Sequence, residues 1–127
     1  MSISKFEDLE IYQLAEKLSD IIWEIVIKWD YLPKRTIGSQ YVEASDSIGA
    51  NISEGYGRGS FADPARFSKI SRGSLFETIH WTKKSKSRKL LTDKESKKIF
   101  DIIDILLPKL GAYINYLDEK SKKKKSK

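Results

Sequence analysis

The stretch Ser47-Ile-Gly-Ala-Asn-Ile-Ser-Glu-Gly-Tyr-Gly-Arg-Gly-Ser60 joins helical spacing to unusually small side chains, then breaks into three glycines at alternate positions. Tyr41, Ala44, Ile48, Ile52 and Gly55 recur at intervals of three and four, so they share one helix face. Ser45, Ser47, Gly49, Ala50 and Ser53 surround them. A helix this thin lets a neighbour approach more closely than the usual separation of roughly 8 to 10 Å, which marks it as the central, most enclosed helix of a bundle. Gly49 costs about 1 kcal/mol of helix propensity relative to Ala, so a close contact is the expected reason for it. Gly55, Gly57 and Gly59 are expected to end the helix.

The same glycines invite a second reading, since glycine-rich turns can offer backbone N–H groups to phosphate. The pattern G-x-x-x-x-G-K-[ST] is absent, Ser60 stands where G-x-G-x-x-G needs its third glycine, and no strand precedes the run. Helix termination is therefore the primary reading, with direct ligand contact beside it.

A chain of 127 residues, 39% hydrophobic, suits one domain with one core. It contains no cysteine, which excludes disulfides, thiolate metal sites and a thiol nucleophile. The first residues lack an apolar signal core and no run of about 18 apolar residues occurs, so the expectation is a cytoplasmic protein without membrane contact. The net charge is +6, and Asp118 to Lys127 hold six lysines against two acids. The reading is a bundle over residues 1–117 and a basic, disordered tail over 118–127. Such a tail adds sequence-independent attraction for phosphates.

Taken in order, a first helix is expected from about Asp8 to Trp29. Ser4 or Asp8 would cap it, Phe6 would staple its entry, and Ile11, Ala15, Leu18, Ile22, Ile25 and Trp29 form its stripe. Trp23, Val26 and Ile27 lie off that seam, and the surplus apolar surface points to a subunit contact. Residues 31–36 read as a loop: Pro33 biases Leu32 away from helix and Thr36 caps the second helix, which runs to about Tyr56. Asp63-Pro64 reads as an N-cap followed by proline at the first helical position. The third helix, from Pro64 to about Ser87, is expected to turn Phe67, Ile70, Ser74 and Trp81 inward, beside Leu75, Ile79 and a contact-permitting Gly73. It ends in Lys83, Lys84, Lys86, Arg88 and Lys89, five cations in seven positions with no acid among them. These read either as a phosphate-contacting patch or as a solvated end complementing the helix dipole. Thr92-Asp-Lys-Glu95 is a capping box opening the fourth helix, with the stripe Ile99, Ile103, Leu106, Leu110, Tyr113 and Leu117. Pro108 is expected to kink that helix without ending it. The fold class is all-α, an antiparallel up-down-up-down four-helix bundle.

Little in the chain promises catalysis. His80 is the sole histidine and cannot anchor a transition metal alone. Glu54 and Arg58 stand four apart in the order that favours a helix-surface ion pair. Asp101 and Asp104 share a face but lack the Glu-x-x-His ligands of a di-metal bundle. Asn51, beside the small face, needs partners if buried. No nucleophile with a base and an orienting group stands out, so no enzyme, metal or cofactor is expected.

Four successive segments carry a resemblance: Phe6-Glu-Asp-Leu-Glu-Ile-Tyr12, Ser39-Gln40, Ser47 to Arg58, and Arg66-Phe-Ser-Lys-Ile-Ser-Arg-Gly-Ser-Leu75. Together they resemble the bacterial four-helix-bundle proteins called 23S ribosomal RNA intervening-sequence proteins. The resemblance implies a homopentameric, barrel-like ring, in keeping with the surplus apolar faces. Relatives include the accessory protein of diversity-generating retroelements, which binds a reverse transcriptase and nucleic acid through a positive surface. The family pattern has a proline after Ser-Ile, where Gly49 stands here, and basic residues after Ser-Gln, where Val42 and Glu43 stand.

The function expected is a non-enzymatic, oligomeric nucleic-acid-binding or ribonucleoprotein accessory protein. Its phosphate contacts would be Arg58, Lys83, Lys84, Lys86, Arg88, Lys89, Lys122, Lys123, Lys124 and Lys125. A ring would repeat each patch, so weak contacts add through multivalency. Because no aromatic residue lies between Lys83 and Lys89, structured RNA or duplex DNA is favoured over a stacked single strand. The alternative is a ring-forming scaffold for a protein partner such as a reverse transcriptase, without nucleic-acid binding.

Overall fold

The computed structural model describes residues 5–125, and side chains as far as Lys123. A short 3-10 turn, Phe6–Asp8, leads into α1, Glu10–Val26. Three further long helices follow: α2, Ser39–Tyr56; α3, Ala62–Ser87; and α4, Asp93–Lys125. Among the described residues there is no strand. Each helix packs on the next, α1 also packs on α4, and the most extensive contact is between α2 and α3.

The apolar core is unevenly supplied. Ile11, Leu18 and Ile22 of α1 and Ile99, Leu106 and Leu110 of α4 are buried, as their stripes predict. Each such side chain contributes roughly 1.5 to 3 kcal/mol when fully buried. Trp29 is half-buried against this cluster, Tyr113 likewise, and Ile102 and Ile114 take buried places that the predicted α4 stripe omits.

The inner face of α3 differs from the predicted one. Its buried positions are Pro64, Ala65, Ser68, Ser71, Leu75, Thr78, Thr82 and Ser85, again spaced by three and four but mostly hydroxyl-bearing. Phe67, Ser74 and Trp81 are only half-buried, and Ile70 is exposed. Gly73 is exposed too, and a Cβ there would meet nothing, so it permits no contact. Apolarity is a misleading guide here, because the Ser71, Thr78 and Thr82 hydroxyls find partners inside, although the buried Ser85 hydroxyl has none. The Tyr41 and Thr82 hydroxyls lie 2.6 Å apart, and Thr82 donates onward to the Thr78 carbonyl at 2.7 Å. Ser71 donates across the interface to the Ile48 carbonyl at 2.8 Å, and Ser47 donates to the Ser74 hydroxyl. Burial pushes the Tyr41 hydroxyl pKa far up, so it remains a protonated donor.

Small residues make the close approach possible. A Cβ on Gly55 would lie 2.8 Å from Phe67 Cβ and 3.1 Å from Pro64 Cα. At Gly49 the close neighbour is the Glu16 carboxylate of α1, the mobile end of a side chain. Asn51 finds its partner within its own helix, donating to the Ser47 carbonyl at 2.9 Å.

Several boundaries differ from the sequence reading. Residues 31–36 are helical: a turn at Tyr31–Pro33 and a π-helical segment, Lys34–Gly38, run directly into α2. Pro33 and Pro64 both occupy first turns, where backbone N–H groups have no helical acceptor to lose. Leu32 is helical despite its proline neighbour, and Thr36 donates to the Leu32 carbonyl at 2.7 Å instead of capping. Neither Asp8 nor Asp63 is an N-cap; Leu9 and Phe61 hold those positions without side-chain cap bonds. The capping candidate Ser4 lies outside the described residues. The Thr92–Glu95 capping box forms as expected, with reciprocal bonds of 2.9 and 3.0 Å. Helix α4 continues through Pro108 and past Leu117 to Lys125, so the lysine run is helical where a disordered tail is expected. Lysine is a good helix former and its charge suits a helix C-terminus, while Lys69 holds Asp118 at 3.2 Å.

The polar α2/α3 contact sets two stability predictions. Thr82→Val leaves the buried Tyr41 hydroxyl unpaired and should cost about 1 to 3 kcal/mol in urea unfolding, with Tyr41→Phe in the same chain recovering part of it. Gly55→Ala, which meets backbone, should destabilise by about 1 to 3 kcal/mol. Gly49→Ala, which meets only a movable carboxylate, should not.

Candidate nucleic-acid interface

The predicted cations of α3 gather where that helix ends. Leu90 N–H reaches the Ser85 carbonyl at 2.8 Å, and Lys89 N–H the Lys86 carbonyl at 3.0 Å. This is a Schellman closure, which needs a left-handed residue after the helix. Lys89 takes that place at φ 61°, the one positive φ among the described residues. A non-glycine residue there costs on the order of 1 kcal/mol. Trp29 of the first connection donates its indole N–H to the Leu90 carbonyl at 3.0 Å, tying the two connections together at this pole of the bundle.

Beside that closure lies a cleft of about 500 Å³ lined by Arg35, Gln40, His80, Trp81, Lys84 and Arg88, among others. Arg35 comes from the π-helical segment, one helix away from the predicted cluster. The sequence reading missed it because residues 31–36 look like a loop, and a loop has no defined face. None of the described ion pairs engages Arg35, Lys83, Lys84, Lys86, Arg88 or Lys89. His80 meets Trp81 edge to face with centroids 4.7 Å apart, and the Trp81 N–H donates to Glu77 at 3.1 Å. The aromatic groups absent between Lys83 and Lys89 are thus supplied from one helical turn back, which removes the compositional argument against base stacking.

The remaining predicted contacts lie elsewhere. Arg58 follows α2, at the opposite end of α3, a 26-residue helix about 39 Å long. It pairs with Glu54 at 2.8 Å, as its spacing predicts, and sits 5.1 Å over the Phe67 ring. Lys122 and Lys123 are exposed on the last turns of α4. The side chains of Lys124 and Lys125 lie outside the described residues. Arg58 and the cations at the end of α3 therefore do not form one surface.

A groove of opposite character runs between α1 and α2, lined by Tyr12, Glu16, Ser19, Asp20, Asp46 and Ser53, among others. Burial, then the neighbouring Asp20, raises the carboxyl pKa of both Glu16 and Asp46. This face repels phosphate. Among the described residues no group of three or more His, Asp or Glu side chains is placed to hold a metal ion. No helix among them is long and apolar enough to cross a membrane.

Comparison with known families matches residues 7–112 to the family described as 23S rRNA-intervening sequence protein. The chain belongs to that family. The match spans the small face of α2, the hydroxyl face of α3 and every residue named around the basic cleft, and it stops before Lys122. No curated protein matches this family member.

Two substitutions test the electrostatics of these faces. Lys89→Gly should raise stability by about 0.5 to 1 kcal/mol while deleting a cation, because glycine adopts the left-handed conformation without strain. Glu16 holds its proton more tightly when folded, so its ionised form weakens the fold above that raised value. The weakening vanishes below the ordinary value of 4.5. Glu16→Gln should therefore exceed the parent chain in stability at pH 7, and the gap should close as the pH is lowered past that value.

Proposed function

We propose that this member of the 23S rRNA-intervening sequence protein family is a non-enzymatic, homo-oligomeric RNA-associated protein of the cytoplasm. It grips nucleic-acid phosphates at the pole formed by the C-terminus of α3. The observation carrying this reading is the cleft lined together by Arg35, Lys84 and Arg88, none of them in a described ion pair, with His80 and Trp81. Two guanidinium groups offer planar forks suited to phosphate oxygens, and the lysines add long-range attraction. The acidic α1/α2 groove gives the surface a sidedness that orients a polyanion towards this pole.

The bundle reading is antiparallel, up-down-up-down. Tyr41 with Thr82, Ile48 with Ser71 and Gly55 with Pro64 pair rising α2 numbers with falling α3 numbers. Assembly into a ring of identical subunits, a pentamer as the resemblance implies, is supported by large apolar side chains left outside the core. Trp23 is 50% exposed, Tyr31 76%, Leu32 64% and Phe76 54%. The same exposed groups favour a second reading, a scaffold that recruits a protein partner and leaves nucleic acid alone.

Fluorescence anisotropy of a labelled structured RNA and a labelled duplex DNA separates the two readings. The parent chain is compared with a variant in which Lys83, Lys84, Lys86, Arg88 and Lys89 are neutralised, and with Arg35→Gln. About five phosphate contacts predict an affinity loss of roughly 10²- to 10³-fold between 50 and 200 mM salt. The neutralised variant should lose both the affinity and the salt slope. If neither nucleic acid binds the intact oligomer at low salt, the nucleic-acid reading fails and the scaffold reading takes its place.

A further inference from the structure

The pole at the other end of α3 contains a cleft of about 300 Å³ beneath the glycine loop. Tyr56, Phe61, Tyr113 and Tyr116 supply four aromatic side chains to its lining, and Arg58, Gly59 and Ser60 form its polar rim. Helix α2 ends at these glycines as expected, with Gly57 at its C-cap, but not through the left-handed closure that glycine permits. No described glycine has a positive φ, and α2 closes on Gly57 with ordinary right-handed geometry. A Cβ on Gly59 would meet nothing, and one on Gly57 only the Glu54 carbonyl oxygen at an ordinary 3.7 Å. Neither helix termination nor packing accounts for glycine at position 59. None of the described hydrogen bonds uses the N–H of Gly59, Ser60 or Phe61. Bare backbone with open donors remains beside an aromatic cleft. Cations border it: Arg58 on the loop, exposed though paired with Glu54 at 2.8 Å, and Lys120, whose ammonium lies 5.6 Å over the Tyr116 ring.

Aromatic rings interleaved with cations and exposed N–H donors match one ligand chemistry, a planar base joined to a phosphate. We infer that this cleft binds an unpaired nucleotide, its base against Tyr116 and the neighbouring rings and its phosphate at Arg58 and the Gly59–Ser60 backbone. The inference rests on the proposed nucleic-acid role for its biological setting, but not for its geometry. An unpaired nucleotide can come from a single-stranded RNA segment or from a free nucleoside monophosphate, and the cleft chemistry is common to both.

The test uses the full chain and 2-aminopurine, whose fluorescence is quenched on stacking, in two probes: a short single-stranded RNA and the free riboside monophosphate. The expected result is saturable quenching. Tyr116→Ala should weaken it about 5- to 150-fold. Gly59→Val adds bulk where the fold has room, so it should leave the melting temperature unchanged and still weaken quenching. A purely structural loop would not respond in that way. Quenching of the RNA alone assigns the site to single strands, and quenching of both probes assigns it to the nucleotide unit. Absence of quenching with either probe, or quenching unchanged in both variants, overturns the inference. Neutralising the α3 C-terminal cations separates it from the proposed function. Loss of duplex and structured-RNA binding with quenching intact places the two sites on independent footings. Quenching that disappears in that variant, while Tyr116→Ala is silent, removes this site and leaves the first.

Discussion

The fold depends on how closely α2 and α3 approach. Their facing sides carry few large apolar groups: Ala44, Ser45 and Gly55 against Ala65, Ser68, Ser71, Thr78 and Thr82. Such a contact gains less from transfer of apolar area than a leucine seam and more from dense packing and satisfied hydrogen bonds. Tyr41, the largest fully buried side chain, is enclosed there, with its hydroxyl bonded to Thr82 and its ring near Trp29. A buried hydroxyl without a partner is costly, so this seam specifies the register of the two helices more sharply than greasy surfaces would. The heavier stripes of α1 and α4 then close over the pair and supply most of the apolar burial.

That arrangement also sorts the charge. Because the inner face of α3 is used up by small and hydroxyl residues, its larger side chains are turned outward. His80, Trp81 and Lys84 stand at the cleft of one pole, and Phe67 underlies Arg58 near the other. The carboxylates of α1 and α2 collect on a different side, where crowding and partial burial raise the pKa of Glu16 and Asp46. A chain of modest net charge thereby acquires one pole of cations outside any described ion pair, a second where Arg58 is paired with Glu54, and an acidic flank. Its polarity comes from placement more than from total charge.

Much of this was legible in the residues. The all-α class, the enclosed character of Ser47–Gly55, most of the core stripes of α1 and α4, the Thr92–Glu95 box and the Glu54–Arg58 pair follow from local spacing, but Val26, expected off the α1 seam, is buried in the core while Ile25 is only half-buried. The family resemblance carried by Phe6–Tyr12, Ser39-Gln40, Ser47–Arg58 and Arg66–Leu75 agrees with the family match. The inner face of α3 was not legible, because a pattern of apolar residues assumes that the interior is apolar. Thr78 and Thr82 are buried only because Tyr41 and the carbonyls of the helix accept or donate to them. Arg35 was missed for a related reason: Pro33 looks like a breaker until the start of the helix is known to lie within three residues of it.

Local spacing specifies the four long helices, most of the apolar stripes that close the core, and the concentration of cations at the end of α3. These depend on neighbours three and four residues away, which the chain specifies locally. Packing between helices settles which face of α3 is buried, that Arg35 joins Lys84 and Arg88 at a cleft, and that Arg58 stands at the opposite pole among tyrosines from α2 and α4. Those outcomes follow from contacts between residues tens of positions apart. They are set by which surfaces can approach most closely while leaving few buried polar groups unpaired, a property of helix pairs that no single helix carries.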